Sequence, residues 1–186
     1  MRPMTRAIVG PLRVLLSVSA TVVVALATGR AMAGSPGCKA PEYRQLDFWL
    51  GNWKAYDNDG KGPYVARDEV TALLGDCVIL EKYRQNDGLD GNGVTIYDAS
   101  RNLWHQTWVT NSGQLLILEG RFSRGVLTMS GSNWGKDGKR VWYRVSWKSQ
   151  DGGVQETAVV SNDAGRSWRP AFDILFVKRA AVGGSG

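Results

Sequence analysis

The sequence is poor in the residues on which most metal sites and many enzymes rely. Of its 186 residues only His105 is a histidine, and only Cys38 and Cys77 are cysteines. A zinc site built from Cys and His needs three or four such ligands, so this class of site is disfavoured. The G-x-S-x-G pattern of serine hydrolases and the glycine patterns of nucleotide sites are also missing. The sequence therefore predicts no metal ion and no nucleotide cofactor.

A long hydrophobic run is missing as well. The longest largely apolar segment, residues 14–28, has 15 residues, whereas a helix needs roughly 20 to span a bilayer. This segment follows three arginines and precedes Ala31-Met32-Ala33. A basic start, a short apolar segment and an A-x-A site are typical of a secretory signal peptide, so residues 1–33 are predicted to be removed after Ala33. A membrane anchor and a lipidated Cys38 are the weaker alternatives.

Positive charge is concentrated in this N-terminal segment. Residues 1–33 hold four arginines and no acid, so 19 of the 23 basic residues and all 17 acidic ones lie in the rest of the chain. The net charge accordingly falls from +6 for the whole chain to +2 after cleavage. A nucleic-acid footprint requires clustered positive charge. No nucleic-acid partner is predicted, and the mature protein is expected in the periplasm or outside the cell without a membrane span.

The two cysteines have a simple interpretation in an exported protein. In an oxidising compartment, Cys38 and Cys77 are expected to form one disulfide. Closing a loop of that length stabilises a fold by about 3–4 kcal/mol in the chain-entropy model. Two free thiols remain the alternative.

The remaining chain is a series of short runs rich in Val, Ile, Leu, Thr, Tyr and Trp, cut by Gly, Asp and Asn about every ten residues. This rhythm predicts an all-β antiparallel meander of about ten strands that closes into a barrel, one domain over residues 34–179. A short helix is predicted over residues 41–49, and residues 180–186 are predicted to be a flexible tail. The strands are expected at residues 51–57, 64–74, 77–85, 92–98, 102–110, 114–122, 126–131, 139–149, 153–161 and 170–178.

The segment Leu46-Asp-Phe-Trp-Leu-Gly-Asn-Trp-Lys-Ala-Tyr-Asp57 carries a family resemblance. A short helix followed by Gly51-Asn52-Trp53 resembles the G-x-W signature of lipocalins and related calycin barrels. The resemblance implies that Trp53 packs beneath a cavity, with Lys178 or Arg179 as the basic residue near it. Over residues 38–178 the chain is similar to an uncharacterised bacterial family of exported calycin-like domains, which implies a fold and a location but no activity. The motifs that support this are Leu74-Gly-Asp-Cys77, Tyr97-Asp98, Trp104-His-Gln-Thr-Trp108, Leu118-Glu-Gly120 and Asp163-Ala-Gly-Arg-Ser-Trp168.

Turn chemistry predicts which side chains share a face near His105. Three-residue loops at 111–113 and 123–125 place His105 opposite Glu119, and Glu119 opposite Met129. The face with the His–Glu pair is expected to line the interior, although a one-residue slip in register would turn the other face inward. The first face holds Leu103, His105, Thr107, Val109, Leu115, Ile117, Glu119, Leu127 and Met129, with Arg121 near its end. The other holds Trp104, Gln106, Trp108, Leu116, Leu118, Thr128 and Ser130.

The next hairpin is less ambiguous, because large apolar residues alternate strictly along residues 141–147. Tyr143, Val145 and Trp147 are expected to face inward. With Asp151-Gly152 as a two-residue turn, Trp147 lies opposite Glu156, which brings a carboxyl group into the apolar wall. The residues predicted to orient a ligand are therefore His105, Glu119, Tyr143, Trp147 and Glu156.

Three functions fit this interpretation, and a structural or partner-binding role of the barrel exterior is the remaining alternative. The first is an exported protein that binds a small hydrophobic or amphipathic molecule inside the barrel. The second is an enzyme, such as an isomerase, cyclase or hydrolase, that uses His105 and Glu119 as an acid/base pair inside the barrel. The third is a calycin that binds haem through His105.

Overall fold

The computed structural model describes residues 38–179. It contains ten strands: β1 Gly51–Asp57, β2 Tyr64–Leu73, β3 Val78–Gln85, β4 Asp90–Asp98, β5 Leu103–Thr110, β6 Leu115–Ser123, β7 Val126–Trp134, β8 Arg140–Gln150, β9 Gly153–Ser161 and β10 Arg169–Lys178. Consecutive strands pair antiparallel around a closed barrel, and β1 completes it against β10. The predicted lipocalin-like antiparallel barrel is confirmed. The predicted signal peptide and C-terminal tail lie outside the described residues.

Alternating side chains fill the barrel. On β1, Trp53 and Ala55 are 2% and 0% exposed, whereas Lys54 between them is exposed. The same alternation follows from the pleat of every strand, in which successive side chains point to opposite faces. Each large apolar side chain buried in this way stabilises the fold by about 1.5–3 kcal/mol relative to its exposed state.

The predicted helix is present as two short 3₁₀ turns, Pro41–Arg44 and Asp47–Trp49. They close one end of the barrel, because Leu46 and Trp49 beside and within them are buried in its core. The Trp49 ring stacks on Trp53 with 5.5 Å between centroids and meets Phe176 edge-on at 4.6 Å. The turns therefore act as a plug of aromatic side chains.

The G-x-W segment has a physical basis at the start of β1. Gly51 has φ +146°, and a Cβ atom there would lie 3.3 Å from the side chain of Lys178. The Lys178 ammonium lies 5.5 Å from the Trp53 ring centroid, a cation–π contact. Of the two basic residues predicted near Trp53, Lys178 supplies this contact. Arg179 instead donates its backbone N–H to Asn52 O at 2.9 Å.

The disulfide between Cys38 and Cys77 is confirmed. It links the segment before the plug to the loop between β2 and β3. A second contact strengthens this link, since Arg44 Nη2 donates a hydrogen bond to the carbonyl oxygen of Asp76 at 2.6 Å. The plug is thus attached to the barrel both covalently and through hydrogen bonding.

The β6–β7 hairpin differs from its prediction by one residue. Ser123 pairs with Val126, so the loop has only two residues, Arg124 and Gly125, both with positive φ. Such a turn matches the twist of paired strands better than a three-residue loop. As a result Gly120, and not Glu119, lies opposite Met129.

The inner and outer faces of β5 and β6 also differ from their prediction. His105 does pair with Glu119 as predicted, because the 111–113 loop has its expected length. The prediction that this face lines the interior is wrong: Val109, Leu115 and Ile117 are 43%, 52% and 46% exposed. The two indoles and two leucines of the opposite face give it more apolar area to bury, and this gain outweighs the cost of enclosing Gln106. The residues that turn inward are Trp104, Gln106, Trp108, Leu116 and Leu118.

Candidate ligand-binding cavity

A cavity of about 250 Å³ occupies the barrel interior at the end away from the plug. Its outer rim includes Gln85, Leu89 and Gln114, which lie at or beyond strand ends, and Phe172 near the start of β10 also lines the cavity. The plug contacts the other ends of the same strands, at Tyr97 and the neighbouring aromatic residues. The barrel therefore has one closed end and one end with a cavity. The volume corresponds to about eight waters, near the small end of ligand pockets.

The cavity wall is largely aromatic and aliphatic. Tyr83 and Trp108 meet edge-on with 6.1 Å between ring centroids, and Trp147 and Tyr143 project from β8 on another side. Leu116 and Leu118 of β6 complete the apolar surface between them. A wall of this kind buries the body of a small ligand and leaves orientation to the few polar groups.

Carboxyl groups are the main polar features of this interior. Glu81 of β3 and Glu156 of β9 both line the cavity. The Gln106 amide donates a long hydrogen bond, 3.5 Å, to Glu81 Oε2. Asp68 of β2 is 3% exposed, pairs with Tyr83 across the strands, and has no hydrogen-bond partner for either carboxyl oxygen among the described residues.

Burial changes the protonation of all three acids. It raises the pKa of Asp68 to about 7, against the partial opposition of the nearby Glu69 backbone N–H and, less strongly, of Arg84. It raises the pKa of Glu156 to about 8, with repulsion from Asp68 adding to the rise and the Trp147 indole limiting it. The pKa of Glu81 is also well above its usual range, because burial is reinforced by Asp68 and Glu156. The three groups share one enclosed region, so each makes the ionisation of the others more costly.

The structure brings together three of the five side chains predicted to orient a ligand. Trp147 lies opposite Glu156 across β8 and β9, in the register that the two-residue turn predicted. Both line the cavity, and so does Tyr143 on the same strand. The inward alternation of β8 is thus confirmed at these positions.

His105 and Glu119 form the predicted pair on the outer surface. His105 Nδ1 lies 3.0 Å from Glu119 Oε1, and its Nε2 lies 3.1 Å from Thr107 Oγ1. Arg101 donates to the same Glu119 oxygen at 2.9 Å. The hydrogen bonds from His105 and Arg101 lower the pKa of Glu119. An acid/base pair or haem ligand formed by His105 would therefore act outside the barrel.

Two buried acids, Asp68 and Glu81, are not among the predicted site residues. Asp68 alternates with Ala66 and Val70, both buried, so the period of β2 already places it inside. Glu81 lies opposite Val70 on β3 and follows from the same register. The signal was present in the alternation, but the neighbours of both acids obscured it. Asp68 lies between Arg67 and Glu69, and Glu81 is followed by Lys82, so neither strand shows a plainly apolar face beside a plainly polar one.

The sequence matches no protein-family model and no curated protein. Across residues 38–179, no group of three or more His, Cys, Asp or Glu side chains is arranged to hold a metal ion. Within the same described range, no helix combines the length and the apolar character needed to cross a membrane.

Proposed function

We propose that this protein is an exported, calycin-like carrier that binds a small amphipathic molecule inside its barrel. The observation that supports this most strongly is the cavity, which is closed at the plug end and rimmed by side chains at strand ends at the other. Few polar groups in a mainly apolar wall are the usual composition of a site for a small molecule. The disulfide fits an oxidising compartment and supports the export part of the proposal.

Polar groups inside the cavity support a site that selects its ligand, rather than one that binds hydrophobic molecules without selectivity. Glu156 and the Trp147 indole occupy opposed positions of β8 and β9, and the Tyr143 ring lines the same space. Buried polar groups cost free energy unless they are paired, so a ligand that pairs with them gains affinity and orientation.

Native and denatured mass spectra of the protein purified from exporting cells test this proposal. We expect a discrete non-covalent adduct in the native spectrum that is lost on denaturation. Leu116→Trp adds bulk inside the cavity and should remove the adduct. Leu115→Trp adds the same bulk one residue away, where the side chain is 52% exposed, and should keep it. An adduct that survives Leu116→Trp would show that the molecule binds elsewhere.

An enzyme that uses the same cavity is a second candidate. The raised pKa values of Glu156 and Asp68, about 8 and about 7, keep protons on carboxyl groups near neutral pH, as a general acid requires. The two candidates differ in the fate of the molecule that binds. A carrier releases it with its mass and stereochemistry unchanged, whereas an enzyme returns a product.

A further inference from the structure

We propose that the cavity takes a small organic cation, a primary ammonium on an aromatic or aliphatic body of about ten non-hydrogen atoms. The inference rests on the proposed function, because it requires the cavity to be a ligand site. It adds the charge and the chemical class of the ligand.

Within residues 38–179, the side chains that line the cavity include acids but no bases, so any charge they acquire near neutral pH is negative. Glu81 and Glu156 are the acids among them, and no Lys, Arg or His of the described residues lines the cavity. Asp68 adds a third carboxyl group on the same inner face, where it lies opposite Tyr83 across β2 and β3. A negatively charged ligand would find no base to pair with and would be repelled by any carboxyl group that ionises, so anions are disfavoured.

Two of these three carboxyl groups, those of Glu81 and Asp68, are poorly satisfied by the protein itself. Glu81 is 5% exposed, and the amide of Gln106 reaches it only at 3.5 Å. Neither oxygen of Asp68 has a hydrogen-bond partner among residues 38–179. A buried carboxyl group must keep a proton or pair with a cation. An ammonium group can satisfy this requirement with up to three N–H donors.

Gly93 on β4 leaves room for the Glu81 carboxyl group, which the ligand would contact. On β4, a Cβ atom at Gly93 would lie 2.8 Å from Glu81 Oε2 and 3.2 Å from the Gln106 side-chain nitrogen. Any other residue would push the carboxyl group and the amide out of place. Glycine in the middle of a strand otherwise weakens it, so its presence here fits a need for close approach.

The aromatic rings in the wall complete the recognition of a cation. Trp108, Trp147, Tyr83 and Tyr143 all contribute to the cavity surface. The face of an aromatic ring attracts an ammonium group, most strongly where water is excluded. The same rings also cover the apolar body of the ligand, so one cavity accommodates both ends of an amine.

Binding of the cation is coupled to loss of a proton. The titratable groups on the inner face are Asp68 on β2, Glu81 and Tyr83 on β3, Tyr143 on β8 and Glu156 on β9, and Arg84 acts on Asp68 from β3. When R–NH₃⁺ enters, one protonated carboxyl group releases its proton to solvent and the resulting carboxylate pairs with the ammonium. Affinity for the cation therefore rises with pH, by up to about tenfold per unit while one proton is released.

Isothermal titration with three probes of similar shape tests the charge preference. Benzylamine carries a positive charge at pH 7.5, benzyl alcohol is neutral and benzoate is negative, and each has eight or nine non-hydrogen atoms. We expect benzylamine to bind about tenfold more tightly than benzyl alcohol, and benzoate to bind most weakly. Between pH 5.5 and 8 the affinity for benzylamine should rise, while that for benzyl alcohol should not.

Variants test whether the preference for an amine depends on the carboxyl groups in the cavity or on carboxyl groups elsewhere in the protein. Glu81→Gln combined with Glu156→Gln should reduce the preference for benzylamine over benzyl alcohol to about twofold or less, while benzyl alcohol still binds. Glu69→Gln, an exposed neighbour of Asp68, should leave the preference unchanged. Equal affinity of the unaltered protein for benzylamine and benzyl alcohol would overturn the cation inference but leave the carrier function. Failure of all three probes to bind would contradict both.

Discussion

Two glutamates show how position in the barrel decides the chemistry of a side chain. Glu119 lies on the outer surface between His105 and Arg101, whose hydrogen bonds hold its pKa below the usual range. Glu156 lies inside, where burial raises its pKa to about 8. The first is an ionised member of a surface network, and the second holds a proton at neutral pH. At the scale of single residues, the cavity is therefore acidic without being fully charged.

Protonation of Glu156 predicts how stability changes with pH. Its pKa in the folded state, about 8, lies above the ordinary value of 4.5, so the native state holds a proton that the unfolded state releases earlier. The stabilisation is complete below pH 4.5 and is lost as pH rises to about 8, at up to about 1.4 kcal/mol per pH unit. Asp68 acts in the same direction up to its pKa of about 7.

Urea unfolding at pH 5 and pH 8 measures this effect. The free energy of unfolding should fall between the two values, and Glu156→Gln should remove part of the fall, leaving the variant about 1–3 kcal/mol more stable than the parent at pH 8. Glu69→Gln, whose carboxyl group is exposed, is the control and should keep the parental pH dependence. Parallel pH profiles for the parent and Glu156→Gln would contradict the protonation of Glu156 in the folded state.

Residue pairs were predictable where a turn fixed the register. Asp151-Gly152 placed Trp147 opposite Glu156, and the structure has that pair. The inward position of Glu81 was not predicted, because Lys82 and Arg84 on the same strand made its face ambiguous. When polar residues occur on both faces of a strand, the sequence does not show which face is buried, and so it does not show which acid is buried.

At the scale of elements, one turn explains the error on β7. Arg124 and Gly125 have φ of 51° and 80°, the two-residue turn that hairpin twist favours. The prediction assumed a loop one residue longer and so misplaced the β7 side chains against β6. The amino-acid composition does not distinguish a two-residue hairpin loop from a three-residue one. The burial of Leu127 and Met129 on the inner face shows which of the two is present.

Substitutions in this turn should separate its two positions. Gly125→Ala should destabilise the protein by about 1 kcal/mol, since a side chain is strained at positive φ and nothing lies within 4 Å to compensate. Arg124→Asn, the matched change, should be neutral or slightly stabilising because Asn tolerates this conformation. Denaturant midpoints measure both. Equal losses for the two variants would argue against this turn geometry.

The plug depends on the disulfide that connects it to the β2–β3 loop. Cys38 and Cys77 are separated by 39 residues, a loop length for which cross-linking stabilises by about 4 kcal/mol in the chain-entropy model. The double variant Cys38→Ser/Cys77→Ser should lose about 2–4 kcal/mol of stability in urea, and the parent treated with a reductant should show the same loss. If the reductant also destabilised the double variant, the loss of stability would have a cause other than reduction of this disulfide.

For the molecule as a whole, closure of the sheet explains why the fold was predictable. The cavity was predictable only in part, for a different reason. Ten runs joined by short links leave a closed meander as the natural arrangement, and pairing of β1 with β10 removes both sheet edges. The cavity depends on which side chains fail to fill the interior. Small inward residues, Ala55, Ala66 and Ala158, lie beside large ones, and this balance of volumes is not visible in a binary pattern.

Binding of a small cation inside the barrel can be followed through the indole N–H signals of the eight tryptophans. In a ¹H–¹⁵N NMR titration with benzylamine, the largest shifts should occur at Trp108 and Trp147, which line the cavity. Trp134, which is 70% exposed, should not move. Saturable shifts confined to the cavity indoles are the predicted result. Shifts at Trp134 alone, or none at any indole, would contradict it.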